Sequence, residues 1–400
     1  MKLLSLAWAY LWARPLVALL NLTLLALGVG AMSFVLLVGE QVEQAVQRDL
    51  AGIDLVVGAK GSPLQLILAG VFHLDAPSAN IPLAAQATLA AHPLVERVVP
   101  LSLGDSLRGF RIVGTTPDYL GLYGAVLGSG RNWQAPFEAV LGAEVQRDSG
   151  LALGAAFAGV HGLGHEGEAH GAMPYRVVGL LARCACVLDR LVLTATESVW
   201  QVHDKEAADD GDKAAFHAER EVTLLLVRYR TPLAAASLPR CVNAMPALQA
   251  ASPALESARL LRMVGVGSEV LRGFALVMLL AAGLSVFVAL SHAVREREGD
   301  LAMLRMLGAP PARVAALVVA EALWLALLGV AAGLLLGHAA AHLLGWVLAA
   351  QRSLAVSGAW FSAAEVLAIG LVLLLALLAA LRPAWRAVMI DPTRLMQSAR

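Results

Sequence analysis

The stretch LVALLNLTLLALGVGAMSFVLLV, Leu16 to Val38, decides the class of this chain. A helix needs about 20 apolar residues to cross a hydrocarbon core of about 30 Å, and only Asn21, Thr23 and Ser33 interrupt this run. Trp8, Tyr10 and Trp12 precede it, as aromatic side chains do at a membrane surface. The run exceeds the roughly 7–15 residues of a signal-peptide core, and no small-residue cleavage site follows at a plausible position. It therefore reads as a retained anchor.

Three further runs have the same character: Phe274 to Leu290, Val314 to about Leu344, and Val366 to Leu381. The chain has 400 residues, 58% hydrophobic and 15% charged. Soluble domains have about 45–50% apolar and 25% charged residues, so the surplus apolarity matches four spans. Thirty Lys and Arg balance thirty Asp and Glu, so no overall basic field points to nucleic acid. Three Cys without a Cys-x-x-Cys set exclude a disulfide scaffold or zinc ribbon as the organising principle. Gly58, Ala59, Lys60, Gly61 and Ser62 only echo a phosphate-binding loop, so this chain is not expected to bind ATP through a P-loop.

Lys and Arg in the short flanks set the orientation, because the cytoplasmic side keeps the positive charge. Lys2 and Arg14 flank the start; Arg295, Arg297, Arg305 and Arg313 fill the second connection; Arg382, Arg386, Arg394 and Arg400 fill the tail; the third connection carries only Arg352. Both termini are expected in the cytoplasm. The fold class is thus a membrane protein of four transmembrane α-helices with a large α+β extracytoplasmic domain between the first and second. The expected organisation is a cytoplasmic interfacial segment (1–15), first span (16–38), outer domain (39–272), second span (273–291), cytoplasmic helix (292–313), third span (314–344), short outer loop (345–365), fourth span (366–381) and cytoplasmic tail (382–400).

Within the outer domain, Val95 to Val99, Arg111 to Val113, Tyr175 to Leu180, Leu191 to Thr194 and Val222 to Tyr229 read as strands bounded by Gly and Pro. Leu83 to Ala91 and Leu233 to Val242 read as helices, the second capped by Thr231 with Pro232 at its first position. A shift toward Gly, His and acidic residues suggests a second lobe, 136–220, inserted into a first lobe formed by 39–135 and 221–272. His161, His165 and His170 could ligate Zn²⁺, and His203, Asp204, Glu206, Asp209, Asp210, Asp212 and His217 form a second polar cluster. Neither meets a compact ligand spacing, so solvated loops are the expected reading of both. Pairing of Cys184 or Cys186 with Cys241 is expected over a bond between Cys184 and Cys186, with free thiols as the alternative. No order of nucleophile, His and acid stands out, so no catalytic residue is expected.

The second connection contains Leu301 with Leu304, and Met303 with Leu307, at three- and four-residue helical spacings among Arg297, Glu298, Asp300 and Arg305, with Gly308 as a stop and Pro311 as a restart. Such an amphipathic helix could lie on lipid, or fill a groove on a cytoplasmic partner with its apolar side chains. Gly329, Gly333 and Gly337 form a small-residue stripe that lets the third span approach another helix, so Gly333→Leu is expected to weaken assembly of copies. Glu321 is an ionisable residue inside that span, which marks a functional candidate or a pair near the cytoplasmic end. His338 and His342 share one helical face and are expected at the outer interface.

Arg297 to Ala309 resembles the signature of ABC transporter permeases of the MacB/FtsX/LolCDE type, with Asp300 where the family usually has Glu and Gly299 in place of a basic residue. Glu321, Ala322, Leu323, Gly329 and Gly333 are similar to that family's next span, and the tail residues Pro383 to Ala387 with Asp391 and Pro392 to its closing segment. His92 to Pro100, Val140 to Glu144 and Asp54 to Ser62 resemble pieces of its extracytoplasmic domain. The resemblance implies a permease that dimerises and recruits a separate ATPase, which would bind ATP and Mg. Arg297, Glu298, Asp300, Leu301, Leu304, Arg305, Leu307 and Gly308 would receive the ATPase stroke, and this chain would carry no cofactor. It further implies a bacterial inner membrane, a homodimer or a heterodimer with a related permease, and room for a periplasmic adaptor or substrate-binding protein as a further partner. Export or extraction of a substrate is the leading expectation. A scaffold that regulates a periplasmic partner such as a cell-wall hydrolase is the alternative.

Overall fold

A computed structural model describes residues 3–75, 79–161, 173–209, 220–350 and 356–390. They form two compact units, one of residues 1–42 with 263–400 and one of residues 43–262. The chain starts with α1 (Leu3–Trp12) and, after a break at Ala13 and Arg14, α2 (Pro15–Asp49). Pro15 suits a first helical position, where its missing N–H costs nothing. α2 contains the expected first span and continues past Val38 to Asp49.

The second unit is built on one sheet. In chain order it contains β1 (Leu55–Ala59), α3 (Pro63–Gly70), β2 (Ile81–Pro82), α4 (Ala84–Ala90), β3 (Val95–Leu107), β4 (Phe110–Thr115), α5 (Asp118–Tyr123), β5 (Leu127–Gly130), β6 (Glu138–Leu141) and α6 (Ala143–Ser149). Next come β7 (Ala156–Phe157), β8 (Val160–His161), β9 (Tyr175–Leu181), β10 (Val192–Ala195), α7 (Thr196–Asp209), β11 (Glu221–Val222), β12 (Leu224–Tyr229), α8 (Ala234–Asn243) and β13 (Leu248–Ala251). The strand order is β13-β1-β12-β3-β4-β10-β6-β9-β5, with β7 on β9, β8 on β3, and β2 pairing β11 apart from it. β4 with β10 and β6 with β9 are parallel, which long crossover connections permit.

Side chains alternate across this sheet with period two. Val56, Leu224 and Leu226 pack on one side with Leu66, Ile67 and Val99, while Leu55, Val57, Leu225 and Val227 pack on the other with Leu238 and Val242 of α8. Both faces are covered, which is why β1 and β12 are apolar at successive positions rather than at every second one. α8 begins at Ala234 with Leu233 as its cap and no side-chain bond there, so Thr231 contributes a backbone carbonyl rather than the expected hydroxyl.

Two expectations need correction. The proposed lobes are not separate bodies: β3 and β4 of the first continue through β10, β6 and β9 of the second, and β5, placed in the first lobe, pairs with β9 of the second. The compositional shift tracks connecting segments, whereas the strands between them are as apolar as the rest. The disulfide joins Cys184 to Cys186, and Cys241 is an exposed free thiol on α8. Ala185 takes a left-handed conformation at φ 54°, which brings the two Cα atoms to 5.2 Å, inside the range a disulfide spans.

The chain returns to the first unit through α9 (Pro253–Glu296), then α10 (Glu298–Met306), α11 (Pro311–Ala350) and α12 (Ala363–Val388). Four helices are long and apolar enough to cross a membrane, over Pro15–Asp49, Gly265–Glu296, Pro311–Leu348 and Ala363–Val388. Their shared core includes Leu25, Val29, Leu279, Val286, Leu325 and Val372. Leu16, Leu335 and Leu367 point outward and exposed, as lipid-facing side chains do. α12 starts at a capping box in which Ser362 and Glu365 satisfy each other's backbone amides.

Glu138 at the start of β6 is gripped by both Arg131 terminal nitrogens, Nη1 at 2.7 Å, and accepts from the Gln134 amide at 2.8 Å. The Arg131 guanidinium, followed by the Gln134 amide, pulls its carboxyl down to about 2 from an ordinary 4.5. A carboxylate depressed by folding lends stability that is full above its unfolded value and is lost as pH falls toward its folded one. Thermal unfolding followed between pH 4.5 and pH 2 should therefore fall more steeply in the wild type than in Glu138→Gln. Parallel curves would show that the pair does not contribute.

Candidate functional site

Local chemistry explains α10. Glu298 and Asp300 lie in its first turn and Arg305 in its last, which suits the helix dipole. Gly308 comes after it at φ 92°, a conformation that favours glycine, and Pro311 opens α11.

The faces of α10 divide differently from the sequence expectation. Leu301 is 3% exposed in the bundle core, and Leu304 is half-buried against the same core. Both turn inward rather than toward a partner, a correction to the expectation that the Leu residues jointly fill an external groove. Met303, Met306 and Leu307 face out at 58%, 56% and 80% exposure, beside the exposed Glu298, Asp300 and Gly308. Leu301, the buried Ala302 and Leu304 make up the inner face, and Met303 lies on the other.

Two arginines fasten α10 at its ends. Arg297 Nη1 donates to Glu321 Oε1 at 3.0 Å and Nη2 to the Tyr10 carbonyl at 2.8 Å, with its guanidinium 4.5 Å above the Tyr10 ring. It thereby ties the start of α10 to α11 and α1. Arg305 Nη1 donates to the Val388 carbonyl at 3.0 Å and closely to that of Ile390, which ties α10 to the end of α12. Arg14 pairs closely with Glu296 nearby, and a cavity of about 310 Å³ is lined by Tyr10, Arg14, Asn21, Glu296, Arg297 and Glu321. Glu321 is thus a buried partner of Arg297.

The glycine stripe faces α2 of the same chain. An added Cβ on Gly329 would stand 2.7 Å from Leu25 Cβ, on Gly333 2.5 Å from Val29 Cβ, and on Gly337 2.8 Å from Ser33 Cβ. The expectation of a contact between copies is corrected accordingly: the close approach lies within one bundle.

At the opposite end of α11 sequence reasoning missed a polar cluster. His338 Nε2 lies 3.1 Å from Glu365 Oε1 and Nδ1 lies 2.7 Å from the Gly358 carbonyl. Ser33 donates closely to Glu365, the Ser362 amide donates to Glu365 Oε2 at 2.9 Å, and Ser362 Oγ donates closely to Glu40. Glu365 is 1% exposed, so His338 belongs to an internal network joining α2, α11 and α12. The Ser362-x-x-Glu365 spacing was the available signal, but a capping box does not reveal that its Glu also meets a distant His and Ser.

His161 contributes its backbone to β8, while His165 and His170 lie outside the described residues, as do Asp210, Asp212 and His217. Among the described residues no group of three or more His, Cys, Asp or Glu could hold a metal ion.

Residues 272–392 match the FtsX-like permease C-terminal family, and residues 18–185 match the MacB-like periplasmic core domain. No curated protein matches. The periplasmic region of MacB from Actinobacillus actinomycetemcomitans is similar at 12% identity and TM-score 0.35, over 52% of this chain and 94% of its own. The extracellular domain of the noncanonic ABC-type transporter YknZ from Gram-positive bacteria is similar at 13% identity and TM-score 0.31, over 50% and 98%.

Two outcomes are expected from these contacts. The Arg297 and Glu321 side chains are 14% and 8% exposed, and removing one partner of a buried pair costs about 3–5 kcal/mol because the other charge is left alone. Glu321→Leu or Arg297→Leu alone should destabilise the purified chain more than the double variant does, and purely additive losses would reject the pairing. Gly333→Leu should lower the melting temperature of the chain itself, with Gly333→Ala intermediate; an unchanged melt with altered association would return the stripe to an interface between copies.

Proposed function

From its membership of the MacB/FtsX-like ABC permease family, we propose that this chain converts ATP hydrolysis by a separate subunit into movement of its outer domain, driving export or extraction of a substrate. Permeases of this family work with cytoplasmic ABC ATPase partners. The chain is a multi-pass membrane protein; in this reading it sits in the bacterial inner membrane as a dimer, both termini and α10 are cytoplasmic, and residues 43–262 lie outside.

The observation that carries the reading is the two-faced mounting of α10. Its inner face is packed in the bundle core and its ends are held by Arg297 and Arg305, while Met303, Met306 and Leu307 stand exposed. A helix seated on apolar contacts and pinned at both ends moves with the helices it is pinned to. An ATPase that grips the outer face then displaces α1, α11 and α12 together, and the chain passes from the bundle to the sheet domain through α2 and α9. Such transmission needs only two arrangements of the bundle, with nucleotide biasing one over the other.

The test separates the two faces. Met303→Asp and Leu307→Asp, at exposed positions, should leave the melting temperature within about 1 °C, since surface changes usually stay within about 0.5 kcal/mol, yet abolish co-purification of the ATPase or its coupled hydrolysis. Leu301→Ala should instead lower stability by about 2–5 kcal/mol. Undiminished coupled hydrolysis in both Asp variants rejects the docking role.

A further inference from the structure

Cys184 and Cys186 are separated by one residue, and their bond closes a very short loop. The freedom that a disulfide removes from the unfolded chain grows with loop length, so this bond adds little to global stability. Its effect is local. It holds Ala185 left-handed at φ 54°, a conformation unfavourable to a residue with a Cβ. In that turn the Cys184 and Ala185 amides donate to the two oxygens of Asp189 at 3.0 and 2.8 Å, and the Cys186 amide lies 3.2 Å from Cys184 Sγ.

The turn leads directly into Val187, whose amide donates to Asp49 Oδ1 at 2.7 Å. Arg190 stands 3.9 Å from the other oxygen of Asp49. Asp49 is the last residue of α2 and is 3% exposed, so its carboxylate has no bulk water to replace the Val187 amide. Both sulfur-bearing residues are only half-buried, and exposed Arg183 and Ala185 flank Cys184. A thiolate can reach the bond, and the neighbouring guanidinium favours its approach.

We infer that Cys184–Cys186 is a thiol–disulfide exchange site for a dithiol, and that its redox state decides whether the 184–190 turn anchors the end of α2 through Asp49. One thiolate of the dithiol attacks a sulfur of the pair, breaking the Cys184–Cys186 bond and forming a mixed disulfide. The second thiol of the reagent then attacks the mixed disulfide. The dithiol departs as a disulfide, having given up two electrons, and Cys184 and Cys186 each take a proton as thiols. Without the bond Ala185 returns to a right-handed conformation, Asp189 loses two donors, and the Val187 amide leaves Asp49. An oxidised disulfide reverses the exchange. This device is independent of the transport reading, and its test needs no ATPase.

The experiment uses the full chain in detergent, in a Cys241→Ser background so that only the pair is counted, with dithiothreitol as the dithiol. Without reductant no thiol should alkylate; with dithiothreitol two should, while the thermal transition persists. Hydrogen exchange of the Val187 amide should then rise about tenfold or more, as for a bond opened locally rather than globally, and oxidised glutathione should restore it. Cys184→Ser/Cys186→Ser should exchange like the reduced chain. Two alkylated thiols before reduction, opening of the bond only upon unfolding, or Val187 exchange that ignores reduction would each overturn the inference.

Discussion

Gly329, Gly333 and Gly337 let the backbone of α11 lie against α2, close enough that a single added carbon on Gly333 would meet Val29. In a bilayer, apolar side chains gain little by leaving lipid for one another, so helix association rests on close packing and polar contacts. The rest of the bundle depends on this approach. The Arg297–Glu321 pair ties one part of α11 to α1 and the start of α10, and toward its other end the His338–Glu365–Ser33 network ties it to α12 and α2. Buried charges in such a place cost free energy unless partnered, and both sets are partnered across helices rather than within one.

The same bundle holds α10 from three sides. Arg297 reaches α11 and the backbone of α1, Arg305 reaches the end of α12, and Leu301 fills the core between them. In the proposed coupling this arrangement gives the ATPase one rigid element to act on. The exposed apolar side chains of α10 and its end are two Met and one Leu, and adaptable Met side chains suit the docking surface of that proposal.

In the sheet domain the organising element is β3, whose thirteen residues pair with β12 along one edge and β4 along the other. One strand of that length joins segments that composition had assigned to different lobes. The 184–190 turn lies in the same domain and gives α2 a terminal anchor through Asp49. Its control by a short-range disulfide is a local effect, since the bond crosses no long loop.

Length and hydrophobic period make much of this legible without coordinates. Four apolar runs, an amphipathic connection ended by Gly308, and strands at Val95, Arg111, Tyr175 and Leu224 are all written in short windows, because burial of one face or one span depends on neighbouring residues. Which distant groups meet is not written there. Spacing favours Cys241 as the partner of Cys184 or Cys186, but the left-handed Ala185 brings those two together; periodicity makes Leu304 an outer knob, but the bundle core claims it; Glu365 reads as a cap, but Ser33 and His338 also reach it. The sequence alone determined the membrane class, the span count and the position of α10, since these depend on local hydrophobicity. Tertiary structure alone decided the single sheet, the inward face of α10 and the partners of each buried charge, since such contacts join residues far apart in the chain, up to hundreds of positions, and only the packed chain selects among them.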